Sequence, residues 1–431
     1  MKEKKENLIG RIVEGIHDMC YICMKEMSSL MKDEGVLIFF IVVPLVYPLL
    51  YGWIYNNEVL RDVPVAVVDK SHSALSRDFI RRYDASSATR VACHCADIEE
   101  AKQLMGKDKV FGIMYIPSDF SDRLSRGEQA TVSLFCDMSM VFHYKNIYLT
   151  ATELSLEFGD RFKIVGHKLY TKLYTKEDEK ITEQPLDYED VPIFNSAEGY
   201  GSFLLPAVLM LILHQTLLLG IGMSAGTARE NNRYRDLVPI SSHYNGIFRI
   251  VLGKSFCYFM IYEVMAAYVL LVVPSIFHVP RLLTLSEYIG LTTPYLLATI
   301  FFGMVVSCAV RYRENIMLII VFMSVPLLFL SGVSWPQSNI SPMWQGVSWL
   351  FPSTFGVRGF VRLNSMGATI GDIRTEYVAL WVQTVVYFLV ACVVYRYQII
   401  RARNNAKESL LKMKDSATLA KVKKIVVEDV E

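Results

Sequence analysis

The chain has 431 residues, 52% of them hydrophobic and 20% charged, and 44 Lys plus Arg against 43 Asp plus Glu leave a formal net charge of +1. Soluble domains average about 45–50% apolar and about 25% charged residues, so this chain is shifted toward oil. The composition excludes a collagen, a coiled coil and a disordered tail, the balanced charge argues against a nucleic-acid partner, and eight Cys in this length do not make a disulfide scaffold.

In residues 1–35, Ile12, Ile16, Met19, Cys20, Cys23, Met27, Leu30 and Met31 recur every three or four positions, with Glu14, Asp18, Lys25 and Lys32 on the other side. That spacing predicts an amphipathic helix. Joined directly to a span, it is expected to lie in the cytoplasmic membrane interface, or else to pack on a partner protein. Crossing about 30 Å of hydrocarbon takes about 20 mostly apolar residues. Residues 36–55, 199–225, 250–277, 288–310, 316–333 and 377–395 meet that demand. The first starts too late and is too long for a removable signal peptide. The fold class expected is therefore an α-helical polytopic membrane protein with six transmembrane helices.

Between the first two spans, residues 56–198 are polar enough for an inserted domain. The β-branched run 63–69 reads as a strand, 74–83 as a helix with Ser73 as N-cap, 89–93 as a strand and 98–105 as a helix. Then come a strand at 110–116 stopped by Pro117, a short helix capped by Ser118, a strand at 131–137 and a long helix over about 140–174. Strand–helix alternation predicts a small α/β layer domain. Residues 187–192 read as an acidic, Pro-bracketed linker. Cys93, His94 and Cys95 could bind a metal or pair with Cys136, but no second ligand cluster accompanies them.

Lys and Arg near span ends set the orientation. Arg229, Arg233, Arg235 and Arg249 follow span two, Arg311 and Arg313 follow span four, and the basic tail 396–431 follows span six. With six spans, all share the side of the N-terminus, so both termini are expected in the cytoplasm and the insert outside it. The tail suits either anionic lipid or solvent. Residues 334–376 carry Trp335, Pro336, Pro342, Trp344, Trp349 and Pro352, which predicts re-entrant or interfacial helices between spans five and six.

This order resembles the membrane subunit of a type-2 ATP-binding-cassette (ABC) exporter, in the drug-efflux-like branch with a large external domain. The likeness rests on the insert's opening, Val63-Pro64-Val65-Ala66-Val67-Val68-Asp69 through Ser73-Ala74-Leu75-Ser76-Arg77. It rests also on Leu237-Val238-Pro239-Ile240-Ser241 before Leu252-Gly253-Lys254, and on Ser331-Gly332, Trp335-Pro336, Pro342, Pro352-Ser353-Thr354 and Asn364-Ser365-Met366-Gly367-Ala368. Many members carry Glu-x-Gly-Thr before the Pro-Ile-Ser, where this chain has Arg229-Glu230-Asn231-Asn232-Arg233.

The resemblance implies a multi-pass permease of a bacterial inner membrane that exports amphipathic substrates such as drugs or lipids. Its partners would be a separate cassette ATPase, a second copy or a related permease, and a periplasmic adaptor. Residues 227–244 would couple to the ATPase through Arg229, Glu230, Arg233, Arg235, Asp236 and Pro239. The chain would hold no cofactor of its own, with ATP and Mg bound by the ATPase. Gly253-Lys254-Ser255 looks like the end of a Walker A loop, but Phe248 stands where that motif needs Gly. Leu330-Ser331-Gly332 starts like the cassette signature yet lies at the end of a span. Inside the spans, Glu263, His214 and Gln215 are candidates for the translocation path or a dimer seam, with an interhelical hydrogen bond as the alternative. The other function class open to such a chain is an ATP-independent scaffold or receptor whose external domain binds a ligand.

Overall fold

The computed structural model describes residues 8–56, 59–126, 128–170, 194–195, 199–230, 246–309 and 312–400. The chain divides into two compact units, Met1–Asn56 with Ile193–Glu431, and Asn57–Pro192.

The first unit is helical. A lead helix, Leu8–Leu30, is followed by Asp33, whose carboxylate accepts from the N–H groups of Gly35 (3.0 Å) and Val36 (3.2 Å) and so caps span one. Six helices are long and apolar enough to cross a membrane: Glu34–Ile54, Tyr200–Thr227, Ile247–Ile276, Leu285–Cys308, Arg313–Leu330 and Arg374–Ile400, hereafter spans one to six. The chain is a polytopic helical membrane protein. Spans one and three each widen into a π turn, at Ile38–Val42 and Tyr268–Val272. Pro44 and Pro274 follow closely, and their missing N–H groups remove the helical bonds to Phe40 and Leu270.

Span two is the centre of this unit, since 94% of its most apolar stretch is buried against 22% for span five. Glycines allow that enclosure. The Phe40 ring of span one occupies the space a Cβ on Gly220 would need, and Ile316 of span five does the same at Gly222. In lipid, where apolar helices gain little by leaving their solvent, such close backbone approach supplies much of the association energy.

After span five come helices Pro342–Ser348 and Pro352–Met366, of 7 and 15 residues. Both are shorter than the roughly 20 residues a span needs. The second is buried along most of its length, with Gly356 against the ring of Tyr295, and it ends at Gly367, whose φ of +61° favours glycine. Gln383 of span six donates to Trp349 O at 2.7 Å, and Tyr387 donates to Leu350 O.

The second unit is a four-stranded sheet in the order β2-β1-β3-β4, with β1 Val63–Asp69, β2 Thr89–His94, β3 Gly112–Ile116 and β4 Ser133–Cys136. The first three are parallel and β4 is antiparallel. Helices α1 (Ala74–Asp84) and α4 (Val141–Tyr170) supply Phe79, Tyr83, Ile147 and Phe158 to one face, where they meet Val63, Val65 and Val67. Helix α2 (Ile98–Met105) covers the other face, over Ala66 and Val68. Burial on both faces explains why β1 reads as a continuous valine run. Ser73 caps α1 by accepting from Ser76 N at 3.0 Å, and Ser76 Oγ donates to Asp69 Oδ2 at 2.7 Å. Helix α3 (Phe120–Ser125) has its N-cap position at Asp119, one residue later than Ser118 and without a side-chain cap bond, and Phe120 N turns back onto Pro117 O at 3.2 Å.

Cys93 and Cys95 share one face at the β2 edge, with sulfurs 3.9 Å apart. Cys136 is on β4, three strand spacings or about 14 Å away, beyond disulfide reach. The linker at 187–192 lies outside the described residues.

Candidate functional site

The lead helix buries a row at steps of four: Asp18, Ile22, Glu26 and Leu30. Such a row forms one face of a helix. It meets the first turns of span three, where Ile250, Gly253, Lys254, Cys257 and Tyr258 are buried. Ile22 seats against Gly253, where a Cβ would come within 3.0 Å of it. Ion pairs flank this apolar centre. Arg249 Nη1 lies 2.7 Å from Asp18 Oδ2, and Lys254 Nζ lies 2.9 Å from Glu26 Oε2. Tyr258 donates its hydroxyl hydrogen to the other Glu26 oxygen. Both Glu26 oxygens are thereby used, as a carboxylate only 7% exposed requires. A third pair, Arg313–Asp33 at 4.0 Å, joins the start of span five to the cap of span one.

Periodicity places Asp18 on the polar side of the lead helix; the structure buries it, because Arg249 reaches it from 231 residues away. Part of the predicted apolar stripe stays uncovered, with Ile16 and Met31 exposed, and Val13 and Met24 outside that stripe are exposed too. The helix is thus held on span three by its charged face and offers apolar side chains elsewhere. Asp18, Glu26, Arg249, Lys254 and Tyr258 are absent from the sequence-derived candidates. The local signals were two acidic residues eight positions apart on one face of the lead helix, and Lys254 near the start of a span.

Of the sequence-derived candidates, Arg229 and Glu230 lie in the last helical turn after span two, in Tyr200–Glu230. Arg233, Arg235, Asp236 and Pro239 fall outside the described residues, as does most of 227–244. His214 is fully buried in span two. Thr299 Oγ1 gives its hydrogen to Tyr295 O at 2.8 Å, so at 3.4 Å it accepts from His214 Nδ1. This is an interhelical hydrogen bond within a packed seam. Gln215 beside it is half-buried. Glu263 is half-buried in span three and approaches Thr292 Oγ1 at 3.4 Å. A charge at bilayer depth costs at least about 2.5–3.5 kcal/mol. Thr292 and Thr299 are two turns apart on span four, about 10 Å, so His214 and Glu263 do not form one site.

Among the described residues, no group of three or more His, Cys, Asp and Glu side chains is arranged to hold a metal ion. The Walker-like Gly253-Lys254-Ser255 is continuous helix, and its lysine is engaged by Glu26. Leu330 ends span five, and Ser331 closes that helix by donating its N–H to Leu327 O at 3.0 Å.

The family described as ABC-2 family transporter protein matches residues 35–393, a stretch that begins after the lead helix. The chain is similar to "Probable multidrug ABC transporter permease YbhR" of Escherichia coli strain K12, at 20% identity over 341 residues, 78% of this chain and 86% of that protein. The protein of the same description from Escherichia coli O157:H7 matches at the same identity and coverage.

Proposed function

The chain belongs to the ABC-2 transporter family, and we propose that it is the membrane half of an exporter that expels an amphipathic substrate using ATP hydrolysed by a separate cassette ATPase. The family is one of ABC transporter permeases, in which the ATPase is a separate chain, and no enzymatic domain is indicated here. The relative's description as a multidrug permease favours drugs or similar amphiphiles as substrates.

The observation that carries the coupling step is the clamp between the lead helix and span three. Residues 227–244 connect the central span two to the first turns of span three. Those turns are tied to the lead helix by Asp18–Arg249 and Glu26–Lys254. A push from an ATPase on 227–244 would therefore move span two, span three and the lead helix together. Two copies, or this chain and a related permease, would line the path, since six spans rarely enclose one. The insert would stand outside the cytoplasm, over the exit or against an adaptor.

Two measurements test this reading. A tagged chain drawn from its native membrane in mild detergent is expected to bring a Walker-A-bearing ATPase with it. The Arg229/Glu230/Arg233/Asp236 alanine variant is expected to lose that ATPase while still folding. Recovery of no ATPase in several detergents favours the scaffold or receptor reading. For orientation, a membrane-impermeant maleimide applied to intact spheroplasts is expected to label half-exposed Cys93, and exposed Cys20 only after permeabilisation. Burial pushes the Cys95 thiol up to about 11, so below that pH it stays protonated and is labelled far more slowly than its accessibility alone would give. The reverse pattern at Cys93 and Cys20 would invert the topology.

A further inference from the structure

Glu263 is about 24 Å along span three from its start at Ile247. Tyr288 and Thr292 of span four are its polar neighbours, and they satisfy it only in part. Thr292 is 3.4 Å from Oε1, but the hydroxyl's single hydrogen is directed to Tyr288 O at 2.8 Å. The Tyr288 hydroxyl in turn lies 3.4 Å from the backbone oxygen of Glu263. The second carboxylate oxygen, Oε2, is buried with no hydrogen-bond partner among the described residues. Among the described residues, the ion pairs Arg249–Asp18, Lys254–Glu26, Arg313–Asp33 and Arg362–Glu376 do not include Glu263. A carboxyl at this depth retains its charge only against a cation, because the bilayer supplies no water to replace one.

The helix face it borders is the second observation. Phe256, Met260 and Val264 recur at steps of four, and they are 51%, 50% and 67% exposed within the chain. Glu263 falls at the margin of that stripe, within one turn of Met260 and two of Phe256. An aromatic ring and a thioether are soft, polarisable surfaces that tolerate varied apolar shapes, and a ring face also attracts cations. A half-buried carboxyl with no cationic partner among the described residues, set beside an apolar stripe left uncovered within the chain, is complementary to one ligand chemistry.

We propose that Glu263 with the Phe256–Met260–Val264 stripe binds lipophilic organic cations, the carboxylate taking the positive centre and the stripe the apolar body. On the exporter reading, on which this meaning rests, the chain selects cationic amphiphiles over anionic ones of the same shape.

Tetraphenylphosphonium and tetraphenylborate have nearly the same shape and opposite charge, so they separate charge recognition from apolar contact. Saturable binding of each, measured separately on the purified full chain in nanodiscs, is the test. The wild type is expected to bind the cation saturably and the anion not. Glu263→Gln keeps the side-chain volume and is expected to weaken cation binding about tenfold or more, while Glu263→Asp stays within about threefold of wild type. Equal cation binding by the Gln variant, equal binding of both ions by the wild type, or no saturable cation binding would each overturn the proposal. The assay needs no ATPase. Charge-selective binding without an associated ATPase would sink the exporter reading alone, and an ATPase with indifferent binding would sink this one alone.

Discussion

Lys254→Met is expected to release the lead helix from span three and lower the stability of the membrane unit by about 3–5 kcal/mol, the usual cost of stripping one partner from a buried ion pair. Lys254 is 4% exposed and Glu26 7%. With the ammonium gone, Glu26 keeps only the Tyr258 hydroxyl inside a contact that otherwise holds Ile22, Cys23 and Cys257. Replacing both charges, in Glu26→Leu with Lys254→Met, removes the uncompensated charge and is expected to restore most of the loss, since apolar substitutes of similar volume are often neutral or stabilising. Thermal unfolding of the detergent-solubilised chain, followed by size-exclusion of the surviving fraction, reads both variants. A single variant that melts with the wild type would mean that the pair does not hold the helix. On the exporter reading the double variant adds a second readout: a stable chain that still binds its ATPase but transports poorly would assign the charges to transmission rather than to folding.

Gly220→Ala is expected to be nearly as damaging, through overpacking rather than charge. A Cβ at Gly220 would lie 1.6 Å from two carbons of the Phe40 ring. That ring has little freedom to leave: it is 2% exposed and stands edge-on to Tyr262, with centroids 5.0 Å apart, and tilted against Tyr258 at 5.8 Å. Span one must therefore move off span two, at a cost of about 1–3 kcal/mol or more. Gly346→Ala is the control, because its added methyl meets no heavy atom within 4 Å. It lies in a helix, where alanine in place of glycine gains up to about 1 kcal/mol. Melting temperatures in the order Gly346→Ala, wild type, Gly220→Ala, from highest to lowest, would bear this out; equal melting of the two glycine variants would refute the packing argument.

These two contacts are linked. Tyr258 donates to Glu26 on one side and packs on Phe40 on the other, and Phe40 fills the gap at Gly220. The lead helix is thereby joined through two aromatic side chains to the most enclosed span, a chain of packing able to carry a displacement.

The amino-acid sequence alone determined what depends on local order. Six apolar runs specify helices across a membrane because length and hydropathy are properties of each run by itself. The valine run at 63–69 and the Ser73 cap specify a strand and a helix start for the same reason, and the sheet confirmed both. Even the likeness to an exporter is an argument from order along the chain. What the tertiary structure decided is pairing. Asp18 is an acidic residue on a helix, and periodicity assigns it to water; Arg249, brought alongside by folding, helps make burial tolerable. Lys254 reads as an anchor at the start of a span until Glu26, 228 positions earlier, is set 2.9 Å from it. Read along the chain, Cys136 is a candidate mate for Cys93 or Cys95, and the strand order separates them. Glu263 stands out in the sequence as a charge in a span, but its unpartnered oxygen and the bare stripe beside it are facts of the folded chain. A charge declares its sign locally, whereas its energy depends on what lies within a few ångströms, and in this protein those neighbours are distant in sequence.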